Sequence, residues 1–300
     1  KLVKRTRELG MNSLAVTDHG NMHAAVNFYR KARAEGIKPI LGVEAYVAPK
    51  SRLDKTYTGV SDGGYHLVLL AENETGWKNL LYLCSEAYLT GFYFKPRMDR
   101  ELLEQHNSGL IAINGHLGSE MGEHLLDYET SGEQIAINPH LIRIARELYL
   151  PLVCDNDSHF LHAEDHDAHD TLICISTGKS KFDESRMRYT PELYVKSPEQ
   201  MWEIFGSPEY NNSEYGRAGE ESLLNTQKIA DRCNLELPED ENHAPVVVVK
   251  APPKKELPSH DDADFGGDLT AWFKAYCAHF ELEPANDPDQ DQASLTVECD

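Results

Sequence analysis

The most regular pattern of apolar and polar positions runs from residue 13 to residue 47. An apolar run at 14–16 ends at the polar corner Thr17–Gly20, as a short buried parallel strand would. Apolar residues then recur at every third or fourth position until Gly36, a residue type that is common just after a helix. A second apolar run occupies 40–47 and contains one carboxylate. This order predicts a βαβ unit.

The alternation continues along the chain and indicates an α/β fold. Further strands are predicted at 66–71, 109–114 and 152–155. Further helices are predicted at 1–9, 74–88, 138–148, 163–176, 197–205 and 220–233. The helix near 138 has a clear start signal, because Asn138 is a favourable N-cap and Pro139 fits the first helical position.

Two features indicate that the alternation is incomplete. The sequence starts inside a helix, so we expect that a strand preceding Lys1 is missing. A polar run, 127–133, stands where a crossover helix and a strand should follow. We therefore expect one strand–helix unit to be lost there.

The composition changes after residue 237, and this change predicts four regions. Residues 1–237 form the α/β domain, 238–268 a linker, 269–284 one amphipathic helix, and 285–300 a disordered tail. The run Val246–Lys250 is β-prone and is suited to pair with a sheet edge.

From the composition we expect a protein that neither spans a membrane nor is secreted. Although 40% of the 300 residues are hydrophobic, no apolar run reaches the length of about 18 residues that a membrane helix needs. The first residues lack the apolar core of a signal peptide. Six cysteines are scattered without metal-binding spacing: Cys84, Cys154, Cys174, Cys233, Cys277 and Cys299. We expect a cytoplasmic protein whose cysteines are reduced core thiols.

The formal net charge is −21. An acidic surface repels the phosphate backbone, so a broad nucleic-acid-binding face is not expected on this chain. Any DNA would be bound by a different, basic module.

Acidic residues and histidines gather at the ends of the predicted strands. They are Asp18, His19, Glu44, His66, His116, Asp157 and His159. Glu44 interrupts an apolar strand and needs a partner, because an unpaired buried charge is costly. Two interpretations remain open. Either a cation binds Asp18, His19 and Glu44 together, or Asp18 forms a turn and Glu44 pairs with a nearby Lys or Arg.

Imidazole and carboxylate ligands together suit zinc, manganese or iron. Two or three such ions can hold a phosphate and lower the pKa of a bound water molecule. The set favours a metal-dependent hydrolase, with a purely structural α/β domain as the alternative. His169 lies on the predicted helix that follows Asp157 and His159. It is expected to pack against its neighbours or cap the helix rather than to orient the metal ligands.

Five segments carry a resemblance to a known family. They are TDHG at 17–20, KPILGVEAYV at 38–47, HLVLLAENETGWKNLL at 66–81, NPHLIRIARELYLPLVCDNDSH at 138–159 and SPEQMWEIF at 197–205. Over 1–237, the sequence resembles the polymerase and histidinol phosphatase (PHP) domain. It is most similar to the amino-terminal PHP domain of bacterial replicative DNA polymerase III alpha subunits.

The resemblance implies a distorted (βα)7 barrel that binds up to three divalent metal ions, zinc or manganese. It places the ligands at His19, Glu44, His66, Asp157 and His159, and at His116, where relatives often have Cys. The family's first strand carries a His-x-His pair and a following Asp that have no counterpart here, so fewer ions are expected. We therefore expect an incomplete PHP barrel with a helical C-terminal extension.

The resemblance also implies a function. The intact protein would be a DNA-directed DNA polymerase, with the polymerase body, the clamp and the proofreading exonuclease as partners. The segment lacks the paired catalytic aspartates of the polymerase body, so it would not synthesise DNA alone. It would remove mispaired 3′ ends, hydrolyse pyrophosphate, or act as a scaffold, and the acidic charge favours the scaffold.

Two rival interpretations remain. One is a free-standing phosphoesterase of the histidinol phosphatase type. The other is a truncated barrel without function.

Overall fold

The predicted βαβ unit is present in the computed structural model of the chain. Helix α1 (Leu2–Glu8) precedes strand β1 (Ser13–Val16), helix α2 (Ala25–Ala34) and strand β2 (Lys38–Val47). β1 and β2 pair in parallel. Gly36 adopts a φ of 72° just after α2, a conformation that glycine takes without strain. The structure describes residues 1–56, 59–60, 63–126, 134–237, 247–250, 257–259, 261 and 263–284.

The chain divides into two units, Lys1–Leu237 and Pro238–Asp300. The further strands of the first unit are β3 (Tyr65–Ala71), β4 (Arg97–Met98), β5 (Leu110–Ile113), β6 (Asn211–Asn212) and β7 (Gly216–Arg217). Its further helices are α3 (Glu74–Leu89), α4 (Arg100–Gln105), α5 (Glu120–Leu126), α6 (Gln134–Glu147), α7 (His166–Thr177), α8 (Pro198–Phe205) and α9 (Ala218–Arg232). A 3₁₀ turn, Ala163–Asp165, leads into α7.

The main sheet is mixed rather than all parallel. Its strands lie in the order β1-β2-β3-β5, and β4 pairs with β2. β3 runs antiparallel to both β2 and β5, whereas β4 is parallel to β2. A parallel return from β2 would need a long crossover, and the connection 48–64 has no α-helix among its described residues. The α/β class is therefore confirmed, and the incomplete, distorted (βα)7 barrel stays a prediction.

The core lies where α2 and α3 cover the sheet. Residues at helical spacing on α2, including Phe28 and Tyr29, pack with Leu41 and Val43 of β2 and with Leu80 of α3. Leu80 and Val43 have no exposed surface at all. Because this packing fixes β2, it also fixes the carboxylate that β2 carries.

The predicted strand at 152–155 is not formed. Its backbone, and that of the residues just after it, bonds with a helix and a loop instead of a strand. The side-chain amide of Asn225 on α9 donates to the carbonyl of Leu152 at 2.6 Å, and the backbone N–H of His159 donates to the carbonyl of Leu193 at 2.8 Å.

The predicted start of the helix near 138 is also wrong. α6 begins at Gln134 and contains Pro139. Asn138 does not cap the helix, because it lies one turn inside α6, where its Oδ1 accepts from Nε2 of Gln134 at 3.0 Å. The polar run 127–133 lies outside the described residues.

The described residues of the second unit include a two-stranded sheet, a 3₁₀ turn at Ala263–Phe265 and an α-helix. Strand β8 (Val247–Lys250) pairs antiparallel with β9 (Glu281–Pro284), and helix α10 spans Leu269–Cys277. The β-prone run thus pairs with β9. The helix predicted over 269–284 ends at Cys277, because the chain then turns into β9. The predicted linker includes β8, and the predicted tail, 285–300, lies outside the described residues.

The cysteines agree with the sequence prediction except at one position. Cys84, Cys154, Cys174 and Cys233 are buried and free of disulfides. Burial raises the pKa of Cys84 to about 12 and the pKa values of Cys154 and Cys233 to about 11, so these thiols stay protonated at neutral pH. Cys277 is exposed rather than buried, and Cys299 lies outside the described residues.

Within the described residues, none of the helices combines the length and the apolar character needed to cross a membrane.

Candidate metal centre

The first group of candidate ligands is positioned by the pairing of β1 with β2. This pairing extends past β1 as a parallel bridge between His19 and Glu44. The N–H of Glu44 donates to the carbonyl of Asp18 at 3.1 Å, and the N–H of Gly20 donates to the carbonyl of Glu44 at 2.8 Å. On the other side of β2, His66 of β3 is in register with Tyr46. The sheet therefore places His19, Glu44 and His66 side by side.

The side chains of these three residues form a compact group. Each offers one ligand atom, and these atoms lie within 4.8 Å of one another. Glu44 is only 7% exposed. Its Oε1 lies 2.5 Å from Nδ1 of His66 and 3.5 Å from Nδ1 of His19. The buried carboxylate thus has two imidazoles as partners, rather than the Lys or Arg of the structural interpretation.

The second group comes from the segment around 157 and the turn after β5. Oδ2 of Asp157 lies 3.6 Å from Nε2 of His116, and its Oδ1 lies 3.6 Å from Nδ1 of His159. Nδ1 of His159 also donates to the carbonyl of Asp157 at 2.7 Å. A ligating histidine commonly makes this bond, which leaves the Nε2 lone pair for a metal.

The two groups adjoin. The rings of His66 and His116 are stacked with centroids 5.6 Å apart, and the rings of His19 and His159 lie 6.2 Å apart. The structure therefore brings all six predicted ligands into one cluster. Asp18 is linked to this cluster by a main-chain hydrogen bond, which its carbonyl accepts from the N–H of Glu44.

His116 has a distinctive hydrogen-bond pattern. The N–H of Gly118 donates to Nδ1 of His116 at 3.1 Å. The proton of the neutral ring is therefore on Nε2, which faces Asp157. In this arrangement the Nε2–H of His116 points towards the Asp157 carboxylate at 3.6 Å, and the ring would have to lose that proton to bind a metal through Nε2.

The pKa shifts in the cluster favour the charged forms of His116 and Asp157 and the neutral form of His19. The Asp157 carboxylate, 3.6 Å away, raises the pKa of His116. Burial alone would raise the pKa of Asp157, but the nearby imidazoles of His116 and His159 outweigh it and hold that pKa below its usual value. Burial lowers the pKa of His19, which favours the neutral imidazole that a metal requires.

Sequence reasoning missed Asp155. The residue is exposed, and its carboxyl lies close enough to the other acidic groups to interact with them. Burial raises its pKa, and the charges of Asp157, His116 and Glu44 also act on it. A carboxylate at the end of the apolar run 152–154 was the signal that marked it.

Tyr46 was also missed. Its ring lies 5.0 Å from the ring of His66 and 6.2 Å from that of His19, and only 4% of the residue is exposed. Tyr46 therefore forms an apolar wall beside the two imidazoles. The expectation that His169 packs agrees with its ring contacts to His159 at 5.7 Å and Phe160 at 5.2 Å.

The donor set fits a divalent metal. Imidazole nitrogens and carboxylate oxygens on rigid strands are the ligands that zinc, manganese and iron take in proteins. The fixed Nδ1 bonds of His66 and His159 also leave their Nε2 atoms available.

Comparison with protein families gives a direct result. The model of the PHP domain matches residues 1–152. The chain belongs to the PHP family. This PHP chain is similar to known polymerase subunits. It is 39% identical over 267 residues to the DNA polymerase III subunit alpha of Treponema pallidum (strain Nichols), which covers 80% of this chain and 22% of that protein.

Two further relatives carry the same name. The subunit of Thermus aquaticus is 41% identical over 254 residues, which is 75% of this PHP chain and 20% of the relative. The subunit of Borreliella burgdorferi (strain ATCC 35210 / DSM 4680 / CIP 102532 / B31) is 36% identical over 260 residues, covering 78% of this chain and 22% of the relative. The chain spans about a fifth of the length of the relatives it matches.

Proposed function

We propose that this chain is the PHP segment of a DNA polymerase III alpha subunit, and that the intact protein extends DNA in the cytoplasm. The similarity to three alpha subunits over 75–80% of the chain supports this assignment. The polymerase body, the clamp, the proofreading exonuclease and other holoenzyme subunits would be its partners. DNA would be bound by other domains. In the intact protein, we propose that further strands complete the (βα)7 barrel.

For the segment itself, we propose a metal-dependent phosphoester hydrolase. The observation that carries the proposal is the convergence of two independently positioned groups, one on β1–β3 and one on the segment around Asp157. A bound zinc or manganese ion would supply Lewis acidity to a phosphoryl oxygen and acidify a water molecule.

The residues of the chain would divide the work as follows. His19, Glu44, His66, Asp157 and His159 would hold the ion or ions, with the Nδ1 bonds of His66 and His159 fixing their rings. His116 would bind as well or would orient Asp157 from its protonated Nε2. Tyr46 would keep water from one side of the imidazoles.

A scaffold role is the second candidate. The net charge of −21 supports it, because such a surface does not favour the approach of a long polyanionic substrate. If the chain is a scaffold, it should fold normally but should not hydrolyse phosphoesters, whether or not a metal ion is bound.

Elemental analysis of the purified chain tests the metal proposal. We expect stoichiometric zinc or manganese, which His159→Ala removes. The control His23→Ala changes an exposed histidine and should retain the metal. A wild-type chain without bound metal after incubation with either ion, or equal metal contents in wild type and His159→Ala, would contradict the proposal.

The polymerase assignment has a separate test. Sequencing of the genomic locus should find a reading frame that continues past Asp300 for many hundreds of codons. A stop codon shortly after Asp300 would favour the free-standing phosphoesterase instead.

A further inference from the structure

The turn Tyr93–Lys95 carries an exposed aromatic ring in a strained conformation. Phe94 has a φ of 60° and is 75% exposed. A bulky residue rarely adopts a positive φ, and such strain tends to persist where function requires it. The N–H of Tyr93 donates to the carbonyl of Lys95 at 3.0 Å, which closes the turn. The ring of Phe94 is thus held out into solvent by its own backbone.

The base of this turn is rigid. Arg97, which is 1% exposed, donates from Nε to the carbonyl of Gly91 at 3.1 Å and from Nη2 to the carbonyl of Asp54 at 2.7 Å. Its guanidinium also lies 5.1 Å from the ring centroid of Tyr93. The Tyr93 ring in turn contacts Phe94 edge to face at 4.6 Å. Arg97 and Tyr93 therefore hold in place the backbone that carries the exposed ring of Phe94.

The turn lies beside the candidate metal centre. Nζ of Lys95 is 5.3 Å from the ring centroid of Tyr46, the residue whose ring contacts His19 and His66. Pro96 packs on the residue after His19, since a Cβ built on Gly20 would lie 2.8 Å from Cγ of Pro96. β4 holds this arrangement, because Arg97 is in register with Tyr46.

We propose that Lys95 and Phe94 form a nucleotide-recognition site at the edge of the metal centre. Lys95 binds the phosphate, and Phe94 stacks on the base. An ammonium on a flexible stem suits a phosphate oxygen, and an exposed aromatic ring offers a sequence-tolerant surface for any base. The inference rests on the proposed phosphoester hydrolysis and narrows its substrate class to nucleotides. Inorganic pyrophosphate would use Lys95 but not Phe94.

Calorimetric titration of the manganese-treated chain tests this inference. The probes are thymidine 5′-monophosphate and methylenediphosphonate, a non-hydrolysable analogue of pyrophosphate. We expect Phe94→Leu to weaken binding of the thymidine nucleotide about tenfold and to leave methylenediphosphonate unchanged, because one stacked base is lost. Lys95→Gln should weaken both probes about tenfold. Phe94→Tyr and Lys95→Arg should restore most of the affinity.

Matched controls are available elsewhere in the first unit. Phe182 is 93% exposed, and Lys78 is an exposed lysine paired with Glu74. Neither Phe182→Leu nor Lys78→Gln should change the affinity for either probe.

The outcomes separate this inference from the proposed function. If the wild type takes up manganese and Phe94→Leu binds the nucleotide as tightly as the wild type does, the recognition site is overturned and the metal proposal stands. If the wild type binds the nucleotide through both side chains without taking up manganese, the recognition site stands and the metal proposal fails. A wild type that takes up no manganese and binds neither probe overturns both.

Discussion

Glu44 shows how one residue links the sequence to the candidate centre. Its carboxylate interrupts the apolar run of β2, so the sequence alone required a partner for it. The structure gives it His66 at 2.5 Å and His19 at 3.5 Å. A carboxylate held between two imidazoles fits a site that receives a cation.

The first prediction at this scale concerns Glu44→Gln. The amide keeps the size of the side chain but removes its negative charge. We expect the affinity for zinc or manganese to fall at least about tenfold, measured by competition with a chelating dye. Glu104→Gln, on the exposed side of α4, is the control. Unchanged affinity in Glu44→Gln would exclude this carboxylate from the site.

A second residue-scale prediction concerns Asp99, which is 2% exposed. Its carboxylate accepts bonds from the backbone N–H of Leu102 at 3.0 Å and from the guanidinium of Arg52 at 3.0 Å. Burial alone would raise the pKa of Asp99, but the bonds from Arg52 and Leu102 outweigh it and hold the pKa below its usual value. The charged form therefore stabilises the fold at neutral pH.

Asp99→Asn tests this contribution, because asparagine still caps α4 but carries no charge. We expect a loss of about 2 kcal/mol in the free energy of unfolding at pH 7, measured in urea. Because the pKa is lowered in the folded state, the wild type loses the same stability as the pH falls below about 4. The difference between the two proteins should therefore shrink in acid. A constant difference from pH 7 to pH 3 would contradict the assignment.

At the scale of elements, α9 fixes a segment that has no strand of its own. Asn225 is 6% exposed and donates to the carbonyl of Leu152 at 2.6 Å. The N–H of Cys154 donates to the carbonyl of Ser222, also on α9, at 3.4 Å. Asp157 and His159 follow directly, so α9 positions two candidate ligands without touching a metal.

Asn225→Ala tests this positioning role. We expect about 1 kcal/mol of lost stability and several-fold weaker metal binding, because the segment carrying Asp157 and His159 loosens. Gln227→Ala, on the exposed face of the same helix, should leave both quantities unchanged. A variant that loses stability but binds metal with wild-type affinity would show that α9 supports the fold only.

At the scale of the whole molecule, the charge of the chain sets its relation to DNA. A net charge of −21 repels the duplex, whereas the proposed nucleotide site is local and lies beside candidate ligands for a cation. The two statements are compatible because a single nucleotide presents far less charge than a duplex.

We therefore expect the isolated chain to bind a labelled DNA duplex no more tightly than about 10⁻⁴ M near physiological salt. Fluorescence anisotropy is the measurement. Micromolar binding of the duplex would mean that this segment contacts DNA directly in the polymerase, against the view that other domains do so.

The predictions from sequence succeeded where local patterns decide the outcome. The βαβ unit follows from the apolar runs that flank α2, and the helix predicted at 197–205 is present as α8, with Ser197 as its N-cap. They failed where a distant residue competes for a local group. α9 takes the backbone of 152–155 away from the sheet. The predicted start of α6 failed for a different reason, because the helix begins one turn earlier, at Gln134, and leaves Asn138 inside it. Asp155 was missed because two of the charges that act on it, His116 and Glu44, are far from it in sequence.

The sequence by itself determined the PHP family, the α/β class and the identity of the six candidate ligands, because each depends on residue type and spacing along the chain. Only the tertiary structure decided that β3 runs antiparallel to β2 and that Glu44 meets His66 rather than a lysine. It alone placed Lys95 and Tyr46 beside the centre. These contacts join residues from separate elements, and their distances depend on how the sheet and helices pack rather than on any local pattern.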